Sequence, residues 1–216
     1  MALDVKQSDA RRVTLPGGAE LLIRQVRPDD KQLLTDGLRR LSPESRYRRF
    51  FRPLSELSER DLAYLTEIDH HDHEALAAID PEGDHLVGVA RYVRSAEPQL
   101  AEVSVVVGDP WQRNGVATVL LEHLVERARA AGVTHFAALL MDENTEALKL
   151  FEHRVPGRAR ARRSSSGHLE LLIELPGPGE LRDSTLARVL RATAHTAVVV
   201  NPYRVTREAI RRLRGE

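Results

Sequence analysis

The chain has 216 residues, with 32 basic and 32 acidic side chains, 42% hydrophobic residues and no cysteine. Its length fits one domain of ordinary size plus an appendage, and its composition is that of a globular protein. The balanced charge excludes the positive field of non-specific nucleic-acid binders, and the lack of cysteine excludes disulfides, thiolate nucleophiles and cysteine-type zinc sites. No apolar segment suits a signal peptide or a membrane helix, so we expect a cytoplasmic protein without nucleic-acid or membrane partners.

The N-terminal part predicts an arm, a strand and a helix. Residues 1–19 are polar and end in the turn-forming Pro16-Gly17-Gly18, so we expect a loose arm. A strand is predicted to begin at Glu20. Pro28-Asp29-Asp30 then opens a helix that has leucines on one face.

Two further short helices are predicted from their N-terminal residues. Ser42-Pro43 combines a capping serine with a proline suited to the first helical turn. In this helix Tyr47 and the two phenylalanines that follow are expected to anchor the core. Ser58 with Asp61 three residues later has the spacing of a capping box, which predicts the third helix.

The remaining pattern alternates strands with helices. The predicted strands are residues 74–80, 85–94, 100–108, 135–141, 158–163 and 168–175. Helices are predicted after Asn114, ending at Gly132, and from Asn144. This order implies an α/β or α+β layered sheet with a parallel crossover between residues 100 and 141, flanked by helices.

A proline- and glycine-rich segment, Pro176-Gly177-Pro178-Gly179, separates a C-terminal tail from the rest. We therefore expect an arm at 1–19, a main domain at 20–176 and a helical appendage at 177–216. The appendage is too short to bury a core alone, so it is expected to dock on the main domain or on another subunit. Docking of the appendage on another subunit is compatible with a homodimer.

The segment that carries the most chemical information is a valine-rich strand that runs through a tight loop into a long helix. The first turn of a helix offers N–H groups without intrahelical partners and the positive end of the helix dipole, which attract a phosphate. Gly115 lets the backbone approach such a ligand, and the small Ala117 keeps the turn uncrowded. Arg113 would add a charge-assisted contact. A glycine-containing turn that binds nothing remains the alternative on spacing alone.

Specific residues of this segment resemble a known family. The pattern Gln112-x-x-Gly115-x-Ala117 after the strand is similar to the acetyl-CoA pyrophosphate loop of the GNAT superfamily of N-acetyltransferases. Within that superfamily, residues 44–51, 88–91 and 101–107 resemble the bacterial protein lysine acetyltransferase (Pat-type) branch. The likeness runs from about Leu21 to Leu175 and implies a mixed, mostly antiparallel sheet with a splayed central parallel strand pair.

The resemblance implies acetyl-CoA as acyl donor and assigns its contacts. The residues implied to bind pyrophosphate are Gln112, Arg113, Asn114, Gly115, Val116, Ala117 and Thr118. The residues whose backbone is implied to pair with the pantetheine arm are Val105, Val106 and Val107. Asn144 matches a further cofactor contact, with an ordinary helix N-cap as the alternative.

Glu102 is the candidate general base. A lysine amine has a pKa of about 10.4 and must lose a proton before it attacks a thioester. Glu102 lies on the strand before the loop, at the point where the family has its catalytic glutamate, and Ser104 shares its face by the strand period. The alternative is an exposed glutamate or a salt-bridge partner.

One position departs from the family. Many GNAT enzymes have a tyrosine that protonates the leaving thiolate where this chain has Phe151. Phenylalanine has no proton to donate, so no general acid is assigned. The functional hypotheses are an N-acetyltransferase of a protein lysine, an N-acetyltransferase of a small amine or amino acid, and a catalytically degenerate acyl-CoA-binding module.

Three charged segments are interpreted as structural. His70-His71-Asp72-His73 lacks a matching spaced ligand set, so no metal is predicted. The alternating Arg158, Arg160 and Arg162 are expected on the solvated face of an edge hairpin, with a contact to a CoA phosphate or an acidic substrate as the alternative. The arginines in 204–214 are interpreted as a surface or docking face.

Overall fold

The computed structural model describes residues 10–50, 54–141, 159–163 and 168–177. Within them, eight strands form one sheet in the order β1-β2-β3-β4-β5-β6-β8-β7. The strands are β1 (Arg11–Thr14), β2 (Glu20–Gln25), β3 (His73–Asp80), β4 (His85–Arg94), β5 (Leu100–Val107), β6 (His135–Met141), β7 (Ala159–Arg163) and β8 (His168–Glu174). The helices are α1 (Lys31–Arg40), α2 (Pro43–Phe50), α3 (Glu59–Thr66) and α4 (Val116–Ala130), with 3₁₀ turns at Pro28–Asp30 and Asp109–Trp111.

The β5–β6 pair is parallel, and the other neighbouring strands pair in antiparallel fashion. Helix α4 provides the crossover that a parallel pair requires. The parallel register runs only from Leu100↔His135 to Glu102↔Ala137, although β5 continues to Val107 and β6 to Met141. The strands therefore separate beyond Glu102, and the predicted mixed sheet with a splayed parallel pair is confirmed.

The two faces of the sheet pack against different helices. One face, here called the α4 face, carries Ala101, Val103, Val105 and Val107 against the buried leucines of α4. The opposite face, the α1–α3 face, carries Ala75, Ala77 and Val89 against leucines of α1 and α3. Since side chains alternate along a strand, Glu102, Ser104 and Val106 point toward the α1–α3 face.

The expectation of a loose arm at residues 1–19 is wrong for its second half. Arg11–Thr14 form β1, which pairs with β2 through a turn at residues 15–19 closed by hydrogen bonds between Leu15 and Ala19 and between Gly18 and Leu15. Edge strands tolerate charged side chains, so a polar composition did not reveal the pairing. Leu15, 3% exposed, anchors the hairpin in the core.

Several local predictions are confirmed. Ser58 and Asp61 form the reciprocal capping box of α3, and the Ser42 hydroxyl accepts from the Ser45 N–H at the start of α2. The interpretation of Tyr47 as a core anchor is wrong, because its side chain is 46% exposed.

The predicted hairpin of β7 and β8 is confirmed. Asn144, Phe151 and the tail beyond residue 177 lie outside the described residues. Among the helices that the structure describes, none has both the length and the apolar character needed to span a bilayer.

Candidate active site

Glu102 lies in the middle of the sheet, with Val93 of β4 on one side and Ala137 of β6 on the other. The side chains of both strand neighbours are apolar and have no hydrogen bond to offer a carboxyl group. Burial raises the pKa of Glu102 from 4.5 to about 7. At neutral pH the carboxyl group is therefore divided between its acid and base forms, which suits proton transfer.

The wall beside Glu102 is built from buried polar residues. Ser104 is 6% exposed and pairs across the strands with Arg91 of β4. The Arg91 guanidinium donates to the Leu65 carbonyl oxygen at 2.7 Å and bonds to the His73 ring. Burial and the positive charge of Arg91 lower the pKa of His73 to about 3, so this histidine stays neutral at physiological pH.

The loop between β5 and α4 reverses direction with two residues in the left-handed region. Arg113 has φ 67° and Gly115 has φ 89°. Gly115 is the N-cap of α4, so the N–H groups of Val116, Ala117 and Thr118 occupy the first turn, where the helix supplies no acceptor. Such a turn can bind an anion through its backbone.

The side chains of β5 limit what this strand can offer a ligand. Val105 and Val107 are 3% and 8% exposed and belong to the core of the α4 face, whereas Val106 packs on the α1–α3 face. Their backbone groups alternate in direction within the sheet plane. Because β6 has separated, alternate groups of β5 point into the opening between the two strands.

The N-terminal hairpin reaches the loop, which the sequence reasoning missed. A Cβ placed on Gly115 would lie 3.4 Å from Pro16 Cδ. The turn after β1 is therefore in contact distance of the start of α4. Only the positions of Pro16 in a turn and Gly115 in a loop were available from the sequence, and neither indicates the other.

Gln112 and Asn114, two side chains of the predicted cofactor loop, have different surroundings. The Gln112 side-chain amide donates to the Ser45 hydroxyl and to the Val107 carbonyl oxygen, both at 3.2 Å. Asn114 is exposed, and its amide lies 3.5 Å from the Pro110 carbonyl oxygen. Gln112 thus fixes the loop to β5 and α2, and its backbone remains the part suited to a ligand.

The histidine cluster at residues 70–73 is divided among separate partners. His70 bonds to Glu74 at 2.8 Å, His71 bonds to Asp72 at 2.8 Å, and His73 bonds to Arg91. Within the described residues, no three histidine or acidic side chains are grouped as metal ligands.

A largely apolar cavity of about 320 Å³ lies between α1, α3 and strands β4 and β5. Its lining includes Leu38, Leu86, Val89, Val106 and Trp111. The cavity is on the same face of the sheet as the Glu102 side chain. It provides apolar space next to the loop and beside β5.

A sequence profile of the acetyltransferase (GNAT) family matches residues 38–155. The GNAT domain of S. lividans PAT has 31% sequence identity and a TM-score of 0.67, covering 77% of this chain and 97% of that domain. A cAMP-binding acyltransferase from Mycobacterium smegmatis, 23% identical with a TM-score of 0.55, covers 86% of this chain and 54% of its own and shares the fold. The chain belongs to the acetyltransferase (GNAT) family.

Two curated relatives match by sequence. Acetyltransferase PA5475 of Pseudomonas aeruginosa is 34% identical over 121 residues, which are 55% of this chain. Acetyltransferase Pat of Mycolicibacterium smegmatis is 29% identical over 136 residues, which are 62% of this chain. The match spans 65% of the first relative and 40% of the second, less than two thirds of either.

Proposed function

We propose that this chain is an acetyl-CoA-dependent N-acetyltransferase that transfers acetyl to the ε-amine of a protein lysine by direct attack within a ternary complex. The observation that carries the proposal is the position of Glu102. Its carboxyl group, with a pKa of about 7, lies where β5 and β6 begin to separate. The candidate base therefore lies at the edge of an opening that could hold an extended ligand.

The residues after β5 fit an acyl-CoA. The first turn of α4 suits the pyrophosphate, and Gly115 at φ 89° supplies a conformation that residues with a Cβ rarely adopt. The β5 backbone from Val105 to Val107 suits the amides of the pantetheine arm, as an added strand would be bound. We propose Gln112 to Thr118 and Asn144 as the remaining cofactor contacts.

Acetyl-CoA would supply the acetyl group as a thioester whose C–S bond breaks as the amine forms the new C–N bond. The chain's part is to accept the proton of the amine at the Glu102 carboxylate, directly or through one water. Backbone N–H groups of β5 that face the opening can donate to the acyl oxygen as negative charge develops there. A CoA thiol has a pKa near that of cysteine, about 8.5, so the leaving group needs no dedicated acid.

A protein lysine is favoured as acceptor by the resemblance to the Pat-type branch and by the match to Acetyltransferase Pat. We propose the α1–α3 face as the acceptor side, because it carries the Glu102 side chain and the apolar cavity beside β5. We propose that residues 20–176 form the acetyltransferase domain, that 177–216 form an appendage, and that the protein acts in the cytoplasm.

The test is incubation with labelled acetyl-CoA in the presence of a lysate and, separately, a panel of small amines. We expect labelled protein bands that carry acetyl-lysine and are lost in Glu102→Gln. A labelled small product without labelled protein would replace the lysine assignment with a small-amine acetyltransferase. CoA binding without either product would favour a non-catalytic acyl-CoA-binding module.

A further inference from the structure

A polar cluster joins helix α2 to the loop proposed to bind the cofactor. We define the Asp109 cluster as Ser42, Ser45, Asp109 and Gln112. One carboxylate oxygen of Asp109 accepts from the Ser42 N–H at 2.9 Å. The other accepts from the Ser42 hydroxyl at 2.8 Å and from the Ser45 hydroxyl at 2.7 Å. Asp109, the second residue after β5, therefore holds the N-terminus of α2.

A second link runs through Ser45, which is 4% exposed. Its hydroxyl donates to Asp109 and accepts from the Gln112 side chain at 3.2 Å. Gln112 also donates to the Val107 carbonyl oxygen. The end of β5, Asp109 and Gln112 of the following loop, and the first turn of α2 thus share one set of hydrogen bonds.

The charge of Asp109 makes this contact relevant to an anionic ligand. Burial raises the pKa of Asp109, but the hydrogen bonds from Ser42 and Ser45 outweigh it and hold the pKa below its ordinary value. The carboxylate is therefore ionised at neutral pH, three residues before Gln112. The α2 N-terminus stabilises that charge. If α2 moved away, an unpartnered carboxylate would lie beside the loop and repel a phosphate.

We propose that Asp109 and Ser45 are positioning residues that couple α2 to the cofactor loop, so that CoA binding and the docking of α2 favour each other. This inference rests on the proposed function. Coupling between two sites is reciprocal. If docking of α2 raises the affinity for CoA by some factor, bound CoA raises the equilibrium constant for docking of α2 by the same factor. Helix α2 also contacts β5, the strand that carries Glu102.

Trypsin cleavage reports the docking of α2 directly, since this helix contains Arg46, Arg48 and Arg49. The full chain is digested with and without CoA, and the rates of cleavage at these sites are compared with cleavage at the exposed Arg129, at the C-terminal end of α4, as an internal reference. We expect saturating CoA to slow cleavage in α2 about tenfold in the wild type. We expect this protection to fall to twofold or less in Ser45→Ala and in Asp109→Asn, and calorimetry to show CoA affinity about fivefold weaker in Ser45→Ala.

The matched control is Ser58→Ala, which removes the same kind of capping serine from α3, where its side-chain partner is Asp61 and not the Asp109 cluster. It is expected to keep both the protection and the CoA affinity. Full CoA-dependent protection in a folded Ser45→Ala or Asp109→Asn variant overturns the coupling. Wild-type protein that binds CoA without protection of α2 overturns it as well, while leaving the proposed function intact. Wild-type protein that does not bind CoA overturns both.

Discussion

Glu102 and Ala137 form the last pair of the parallel ladder between β5 and β6. On one side of this pair the strands are joined by the sheet, and on the other side they diverge. The carboxyl group is therefore held by a rigid strand at the edge of an opening. In the proposed function, Glu102 would accept the proton of an amine on the α1–α3 face, and the acyl donor would occupy the opening.

The first prediction concerns Glu102→Gln, which keeps the shape of the side chain and removes its basic site. We expect turnover to fall by about 10² to 10⁴ with acetyl-CoA affinity within a few-fold of wild type. The deficit should shrink as the pH approaches the amine's own pKa of about 10.4, since an amine that has already lost its first proton to solvent needs less help from a base. Steady-state kinetics from pH 6 to 10 tests this. Glu82→Gln, at an exposed turn, is the control, and equal activity of the two variants would exclude Glu102 as the base.

Glu102 should also weaken the fold at high pH. Its folded pKa of about 7 lies above the value of 4.5 for a free side chain, so folding favours the protonated form. This contribution is fully present below pH 4.5 and is lost as the pH rises to 7. At pH 8 we expect the Glu102→Gln variant to unfold at a higher urea concentration than wild type. At pH 5 we expect the two proteins to unfold at similar urea concentrations. An identical difference at both pH values would show that the carboxyl group is solvated.

Substitutions at the two glycines that flank α4 distinguish the cost of backbone strain from the loss of ligand binding. Gly115 has φ 89° and Gly132 has φ 83°, so Glu at either position adopts an unfavourable conformation at a cost of about 1 to 2 kcal/mol. We expect only Gly115→Glu to abolish acetyl-CoA binding, through bulk and like charge at the loop. Calorimetry on both folded variants measures their affinity for acetyl-CoA. Wild-type affinity in Gly115→Glu would remove the cofactor assignment of this loop.

His73 should make the free energy of unfolding depend on pH in the direction opposite to that expected for Glu102. Its folded pKa of about 3 lies below the ordinary value of 6.5, because burial and Arg91 disfavour the charged ring. Its contribution is present above pH 6.5 and is lost progressively as the pH falls toward 3. We expect the stability difference between wild type and His73→Gln to decrease from pH 7.5 to pH 5 in urea unfolding. The exposed His71→Gln should show no such trend; a shared trend would assign the effect to another group.

The buried carboxylate of Glu74 should depend on Arg127. Glu74 is fully buried and bonds to Arg127 of α4, His70 and Gln25. We expect Arg127→Ala to lower the free energy of unfolding by about 3 kcal/mol, because it leaves a buried charge without its main partner. Arg129→Ala, which removes a bond to one carbonyl oxygen near the surface, should cost less than about 1.5 kcal/mol. Equal losses in denaturant unfolding would contradict the role of the pair.

The sequence by itself determined the local elements and the residues that begin or end them. The capping pair Ser58 and Asp61, the left-handed Gly132 and the alternating apolar residues of β5 act within a few positions of themselves. Their preferences are therefore readable without knowledge of distant contacts. The position of Glu102 on the strand before the loop was read from the sequence in the same way.

Only the tertiary structure decided how these elements meet. The burial that raises the pKa of Glu102 comes from its place in the middle of the sheet, between β4 and β6, where Val93 and Ala137 are its partners. The contact between Asp109 and Ser45 brings together residues 64 positions apart, and both look solvent-exposed when considered locally. The hairpin of β1 is local, but the contact of its turn with the start of α4 joins Pro16 to the distant Gly115. Such contacts are selected by burial and hydrogen bonding across the whole fold, because the cost of closing a long loop is recovered only when the partner surface is present.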